Sequence, residues 1–254
     1  MWKKLRIAIL LFILATVGLN AWRAHKQTRD WSKTLQVSIF PLNGDGSPAA
    51  AARIARLQED DFKDIEGFFT EQAQAHGVNN PRPLRVSLQP ALNALPPSAP
   101  AQRSGLDVLL WSLKLRYWAW QQPDGMPRAN IRAFVIFWDS DANGGRVPDS
   151  HGLAKGQIAL SNVHSARTMQ RSNNVVIAHE ILHTMGATDK YGFDLRPQYP
   201  AGFAEPDANP RYPQHLCEIM AGRTPISETE LEMPHALAEC LIGPQTAREV
   251  GMKP

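Results

Sequence analysis

At 254 residues the chain is long enough to bury a full core, and 43% hydrophobic with 20% charged residues is ordinary globular composition. The formal charge of +3 disappears once Lys3, Lys4 and Arg6 are set aside, because the remaining basic and acidic residues balance. A nucleic-acid partner, which needs basic residues clustered on one face, is therefore not expected.

The N-terminus, MWKKLRIAILLFILATVGLNAW, is a short basic stretch followed by the uncharged run 7–22. Sixteen residues exceed the core of a typical signal peptide and fall short of the roughly 20 of a comfortable membrane span. Leu19 stands where signal cleavage wants a small residue, and Trp2 and Trp22 stand where interface markers would. The expectation is an uncleaved signal-anchor over 1–22, a single membrane helix. It would hold the rest of the chain at the periplasmic face of an inner membrane, with a cleaved signal and a secreted domain as the alternative. Residues 23–33 read as a polar tether and 34–254 as one domain.

Within that domain Leu35, Val37 and Ile39 alternate as a first strand. Ser47 and Pro48 open a helix expected to run to about Gly77, striped by Ile54, Leu57, Ile65 and Phe68, with Glu59, Asp60 and Asp61 on its solvated side. Leu84, Val86 and Leu88 give a second strand, and a proline-rich loop follows. The stretch 106–122 fits a helix better than alternation, and its Trp111, Trp118 and Trp120 read as packing residues. The apolar run 131–138 suits a buried strand. Asp139, Asp141 and Asn143 then space oxygen side chains like the opening of a calcium loop, with Gly144 for the turn; the closing glutamate is missing, so Ca²⁺ competes there with an ordinary polar turn.

The segment NNVVIAHEILHTMGATDKY, residues 173–191, carries the chemistry. Val175, Ala178, Leu182 and Met185 recur at helical spacing behind Asn173 and Asn174, either of which can N-cap. His179 and His183, four apart, project from one helix face and can ligate a single Zn²⁺. Glu180 lies beside the metal rather than on it, where a general base takes a proton from activated water. Gly186 allows a sharp turn, after which Asp189 can swing back as a third ligand; Glu218 and Glu205 are the next candidates for that place. Three protein ligands and an open position make a catalytic rather than a structural zinc site.

The run His179-Glu180-Ile181-Leu182-His183-Thr184-Met185-Gly186-Ala187-Thr188-Asp189, with Cys217-Glu218-Ile219-Met220-Ala221-Gly222 further on, resembles the metzincin zinc peptidases, in their snapalysin-like form with Asp as third ligand. The match covers about residues 173–222. The resemblance implies an α+β, metzincin-like catalytic domain: a mixed twisted sheet, an active-site helix and a C-terminal helix. It also implies a Met-turn at Met220 beneath the ligands, and an oxyanion-steadying role for Tyr191, two residues past Asp189. By the same resemblance the segment 157–162 is expected to be the edge strand bordering the cleft, able to receive an extended peptide.

The stretch 192–215, with five prolines, reads as an ordered irregular loop walling the pocket. Ser227 and Glu230 are spaced as a capping box opening a last helix near Glu228. Cys217 and Cys240, in an oxidising compartment, would be bridged or else remain two buried thiols. Two functions follow: a zinc endopeptidase acting on protein or peptide substrates, or a membrane-anchored binding module that keeps the metal as a clip.

Overall fold

The computed structural model describes residues 2–100, 104–142, 144–154 and 156–252. Its centre is a five-stranded sheet of order β2-β1-β3-β5-β4, formed by β1 (Leu35–Asn43), β2 (Leu84–Leu88), β3 (Ile131–Trp138), β4 (His151–Leu153) and β5 (Ile158–His164). Four strands are parallel, and only β4 runs antiparallel, against β5. Parallel pairing demands crossovers, and these place helices on both faces, so the central strands bury both sides. That is why β3, IRAFVIFW, is apolar nearly throughout.

Alternation sorts its side chains between two cores. Ala133, Val135 and Phe137 join Val37, Ile39, Ala159 and Val163 beneath α3 (Lys63–Ala75) and α5 (Gln170–Met185). Phe134 and Ile136 join Phe40, Leu42, Ile158 and Leu160 on the opposite face, covered by α4 (Gly105–Trp120) through Leu115, Trp118 and Ala119.

The helix expected from Ser47 to about Gly77 is broken. Ser47 caps α2 (Pro48–Ile54), as its hydroxyl accepts the N–H of Ala50. A short 3₁₀ turn at Glu59–Phe62 follows, and α3 then begins. The break comes from Gln58, whose N–H donates to the Asp61 carboxylate in a capping box of its own. Asp61 is thus no idle solvated acid: it also pairs with Arg53 at 3.2 Å, and its carbonyl accepts from Gln170 and Asn174 of α5.

The N-terminal segment forms one helix, α1 (Trp2–Gln27). Among the described residues no helix is long and apolar enough to cross a membrane. Beyond α1 the chain docks rather than dangles. Trp31 is 4% exposed, stacks on Phe69, and donates its indole N–H to the Val250 carbonyl.

Two further expectations are corrected. Residues 158–164 form an interior strand, and the sheet ends on β4, three residues too short to show a period. No helix opens near Glu228; Ser227 accepts the N–H groups of Thr229 and Glu230 within the turn joining β7 (Thr224–Pro225) to β8 (Leu231–Glu232). The last helix is instead α6 (Pro244–Glu249). Cys217 and Cys240 are free, buried thiols facing each other across β6 (Cys217–Glu218) and β9 (Cys240–Leu241).

Candidate metal centre

The α5 helix carries the site through the middle of the molecule. Val175, Ala178, Leu182 and Met185 bury the face expected of them. Asn173 and Asn174 do not cap, since the helix has already begun at Gln170. Asn173 instead exchanges hydrogen bonds with the backbone of His164 at the end of β5, and Asn174 donates to the Asp61 carbonyl. These bonds fix the helix against the sheet at one end, so its other end projects His179 and His183 at a defined depth.

Termination is decided by Gly186, which has φ of 108°. In this left-handed conformation, disfavoured for residues with a Cβ, the chain reverses while its N–H still bonds to the His183 carbonyl. The reversal brings Asp189 back over the histidines. Asp189 Oδ1 lies 3.3 Å from His179 Nε2 and 3.1 Å from His183 Nε2, and the two Nε2 atoms are 3.1 Å apart. Ligand atoms from all three residues fall within 4.8 Å of one another, a group that could hold a metal ion.

The outer nitrogens fix the direction of this convergence. His179 Nδ1 donates to the Ile219 carbonyl and His183 Nδ1 to the Ala187 carbonyl, both at 2.9 Å. With the proton on Nδ1, each Nε2 turns a lone pair toward Asp189, which is the tautomer a metal ligand requires. In the metal-free protein the crowding of lone pairs favours protonation. Burial opposes charge on His179, but the Asp189 hydrogen bond and the nearby Glu180 prevail and push it up to about 9. The Asp189 carboxyl, against the cost of burial, is held well below the usual range by the two imidazoles.

Glu180 is 4% exposed, and its Oε2 is buried without a hydrogen-bond partner. Burial raises its pKa, with the two histidines opposing. An unpartnered buried carboxylate oxygen beside three converging donors is costly unless a ligand or water uses it. The wall beside it is β4. A Cβ built on Gly152 would stand 2.3 Å from His183 Cβ, 2.6 Å from the Glu180 carbonyl and 3.1 Å from Glu180 Oε2, so only glycine lets the edge strand approach the helix this closely. Tyr191 joins the same group: burial first, then the charge and hydrogen bond of Asp189, push its phenol up to about 12.

Underneath, Ile219–Ala221 forms a tight 3₁₀ turn with Met220 fully buried. The turn supplies the carbonyl that orients His179, and the Met220 carbonyl accepts the N–H of Lys190. Glu218 stitches it to the C-terminal helix: one carboxylate oxygen accepts from Ala221 N, the other from Gly243 N and Thr246 Oγ1. Glu218 is therefore spent and is no third ligand. Glu205 is spent likewise, on His215 Nδ1 at 2.9 Å and on the His215 backbone.

A clamp on the Asp189 segment gave no sequence signal. Lys190, 3% exposed, reaches Glu249 Oε2 at 2.7 Å and also donates to the carbonyl and hydroxyl of Thr188. Glu249 in turn accepts the Thr188 N–H and hydroxyl. Both neighbours of Asp189 are thereby bolted to α6. At the candidate calcium loop Asn143 lies outside the described residues, while the Asp139 carboxylate accepts the Asp141 N–H as an ordinary polar turn does. Compared with known proteins, the chain matches no family model and no curated sequence.

Proposed function

We propose that the chain is a zinc-dependent endopeptidase. The observation that carries this reading is the constellation at one end of α5: two imidazoles with Nδ1 tied to carbonyls, one carboxylate, and the buried, unpartnered Glu180 oxygen beside them. The donor set fits the ion. A tetrahedral Zn²⁺ with ligands at about 2.0–2.1 Å holds them about 3.3 Å apart. The three separations here are 3.1, 3.1 and 3.3 Å. Two imidazoles also favour zinc over the oxygen-seeking Ca²⁺ and Mg²⁺.

His179, His183 and Asp189 would hold the ion, which when bound would supply Lewis acidity toward a water and a substrate carbonyl. Glu180 takes the water's proton on its carboxylate and returns it to the departing amine nitrogen, so its raised pKa matches the task. Tyr191, neutral at physiological pH, donates its O–H toward the oxygen on which negative charge develops. Among the described residues no further strand of the sheet lies against the outer backbone of β4, and an extended peptide laid there would run past Glu180. The resemblance to metzincins supports the same assignment. Anchorage of the domain to a membrane through α1 at the periplasmic face is part of the proposal.

A binding module clipped by a structural ion is the competing function, but a closed structural site wants four protein ligands and leaves no carboxylate idle beside them. The deciding experiment compares the parent with Glu180→Gln for zinc content and for cleavage of an unfolded protein substrate. One bound zinc in both, with cleavage lost only in the variant, supports the peptidase; equal zinc and no cleavage by the parent across a broad peptide library overturns it.

A further inference from the structure

The α4 helix is apolar on two faces, and the chain covers only one. Leu115, Trp118 and Ala119 bury against the sheet. Leu106, Leu109, Leu110, Leu113, Tyr117 and Trp120 remain 44–74% exposed. At 3.6 residues per turn these six fall within an arc of roughly 100°. Isolated exposed apolar residues need no explanation, but a continuous stripe along a four-turn helix does.

We infer that this stripe is a docking surface for a lipid bilayer, on which α4 lies in the plane of the interface. The pattern along its borders selects this occupant. Lys114 flanks the stripe on one side and Arg116 on the other, and no acidic residue lies within it. The helix's one acid, Asp107, is held in the first turn by the Ser104 hydroxyl at 2.5 Å. A symmetric pairing of two such helices would set basic border against basic border, whereas an anionic lipid surface complements both. The stripe ends on Tyr117 and Trp120, stacked with centroids 6.0 Å apart, side chains that carry an apolar body and a polar tip suited to headgroup depth.

Position supports the same occupant. The last turn of α1 and the segment after α4 meet, with Arg23, Gln27 and Thr28 lining one concavity with Arg128, Ala129 and Asn130. The apolar helix α1, with Leu10, Leu11 and Phe12 exposed, therefore springs from the end of the body at which α4 stops. Two helices with exposed apolar faces thus end close together, and a surface that accepts one lies within reach of the other. The metal centre is not involved, so the inference stands or falls apart from the peptidase reading.

The test uses the full chain with a nitroxide spin label at Leu113→Cys, at Leu109→Cys and, as a control on a distant exposed position, at Glu71→Cys. The native thiols are buried, so labelling is directed to the introduced cysteine. Collision with dissolved oxygen and with a water-soluble nickel chelate is measured on vesicles of mixed phosphatidylcholine and phosphatidylglycerol. The expected result is a several-fold rise of oxygen over nickel accessibility at 109 and 113, with nickel dominant at 71. Replacing Lys114 and Arg116 by Glu should shift 109 and 113 back toward nickel. Nickel-dominated labels at 109 and 113 would overturn the inference by showing the stripe in water. Protection from both reagents would overturn it by showing a protein contact, with a second copy or with α1.

Discussion

His179 and His183 are held from behind by two carbonyls, and this makes their protonation and their metal affinity one problem. His179 is raised to about 9, so in metal-free protein its ion pair with Asp189 stabilises the fold fully below about pH 6.5 and is lost as pH rises through 9. Melting temperature of chelator-treated protein should therefore fall between those values, and saturating zinc should remove the trend, since the ion replaces the proton. Zinc binding near neutral pH should correspondingly release a proton, visible as a buffer-dependent heat of binding. Asp189→Ala should abolish tight zinc binding. Lys190→Met leaves the three ligands in place but frees the segment bearing Asp189, and should weaken zinc affinity by about 10–100-fold. The convergence of His179, His183 and Asp189 was legible in the sequence because helix geometry fixes what a spacing of four means and Gly186 marks the turn. The carbonyls of Ile219 and Ala187 and the Lys190–Glu249 clamp were not, because backbone acceptors have no side-chain signature and Glu249 lies 59 residues from Lys190.

At the level of elements, β4 and α5 meet through a glycine with no space to spare. Gly152→Ala should push the edge strand off the helix at Glu180 and His183. A destabilisation of about 1–3 kcal/mol is expected, with loss of peptide cleavage out of proportion to the change in zinc content. Thermal denaturation and metal analysis on the same sample check both. The longer elements were readable: β1, β2 and β3 by alternation or by a continuous apolar run, and α4 and α5 by helical period. What escaped was short or settled by tertiary contact. β4 has three residues and no period, and the Ser227–Glu230 spacing serves a hairpin turn as readily as a helix start. In α4 the two apolar faces explain why its period was hard to separate from alternation: a helix apolar on opposite sides gives no single stripe.

For the whole molecule, the domain begins before its first strand. Trp31 fills the core against Phe69 and bonds to the Val250 carbonyl, while Arg29 donates to the Arg248 carbonyl. Removal of residues 1–27 should leave a cooperatively folding domain with its zinc site. Removal of residues 1–33 deletes a buried tryptophan and should cost about 3–5 kcal/mol or abolish folding. Chemical denaturation of the two truncations separates these outcomes. If the longer truncation is as stable as the shorter, the Trp31 contact is ornamental.

The seat of Trp31 also sets a timetable. Its acceptor is 219 residues further along the chain and leaves the ribosome long after it. Until they emerge, the indole has no partner, the α6 bolt on the Asp189 segment is missing, and Glu218 has no Gly243 or Thr246 to hold. A growing chain can pair β1 with β2 and β3 early, yet the cluster of His179, His183 and Asp189 becomes rigid only after residues 243–250 have emerged. The coupling delays the metal-binding group until the α6 segment that braces it is in place.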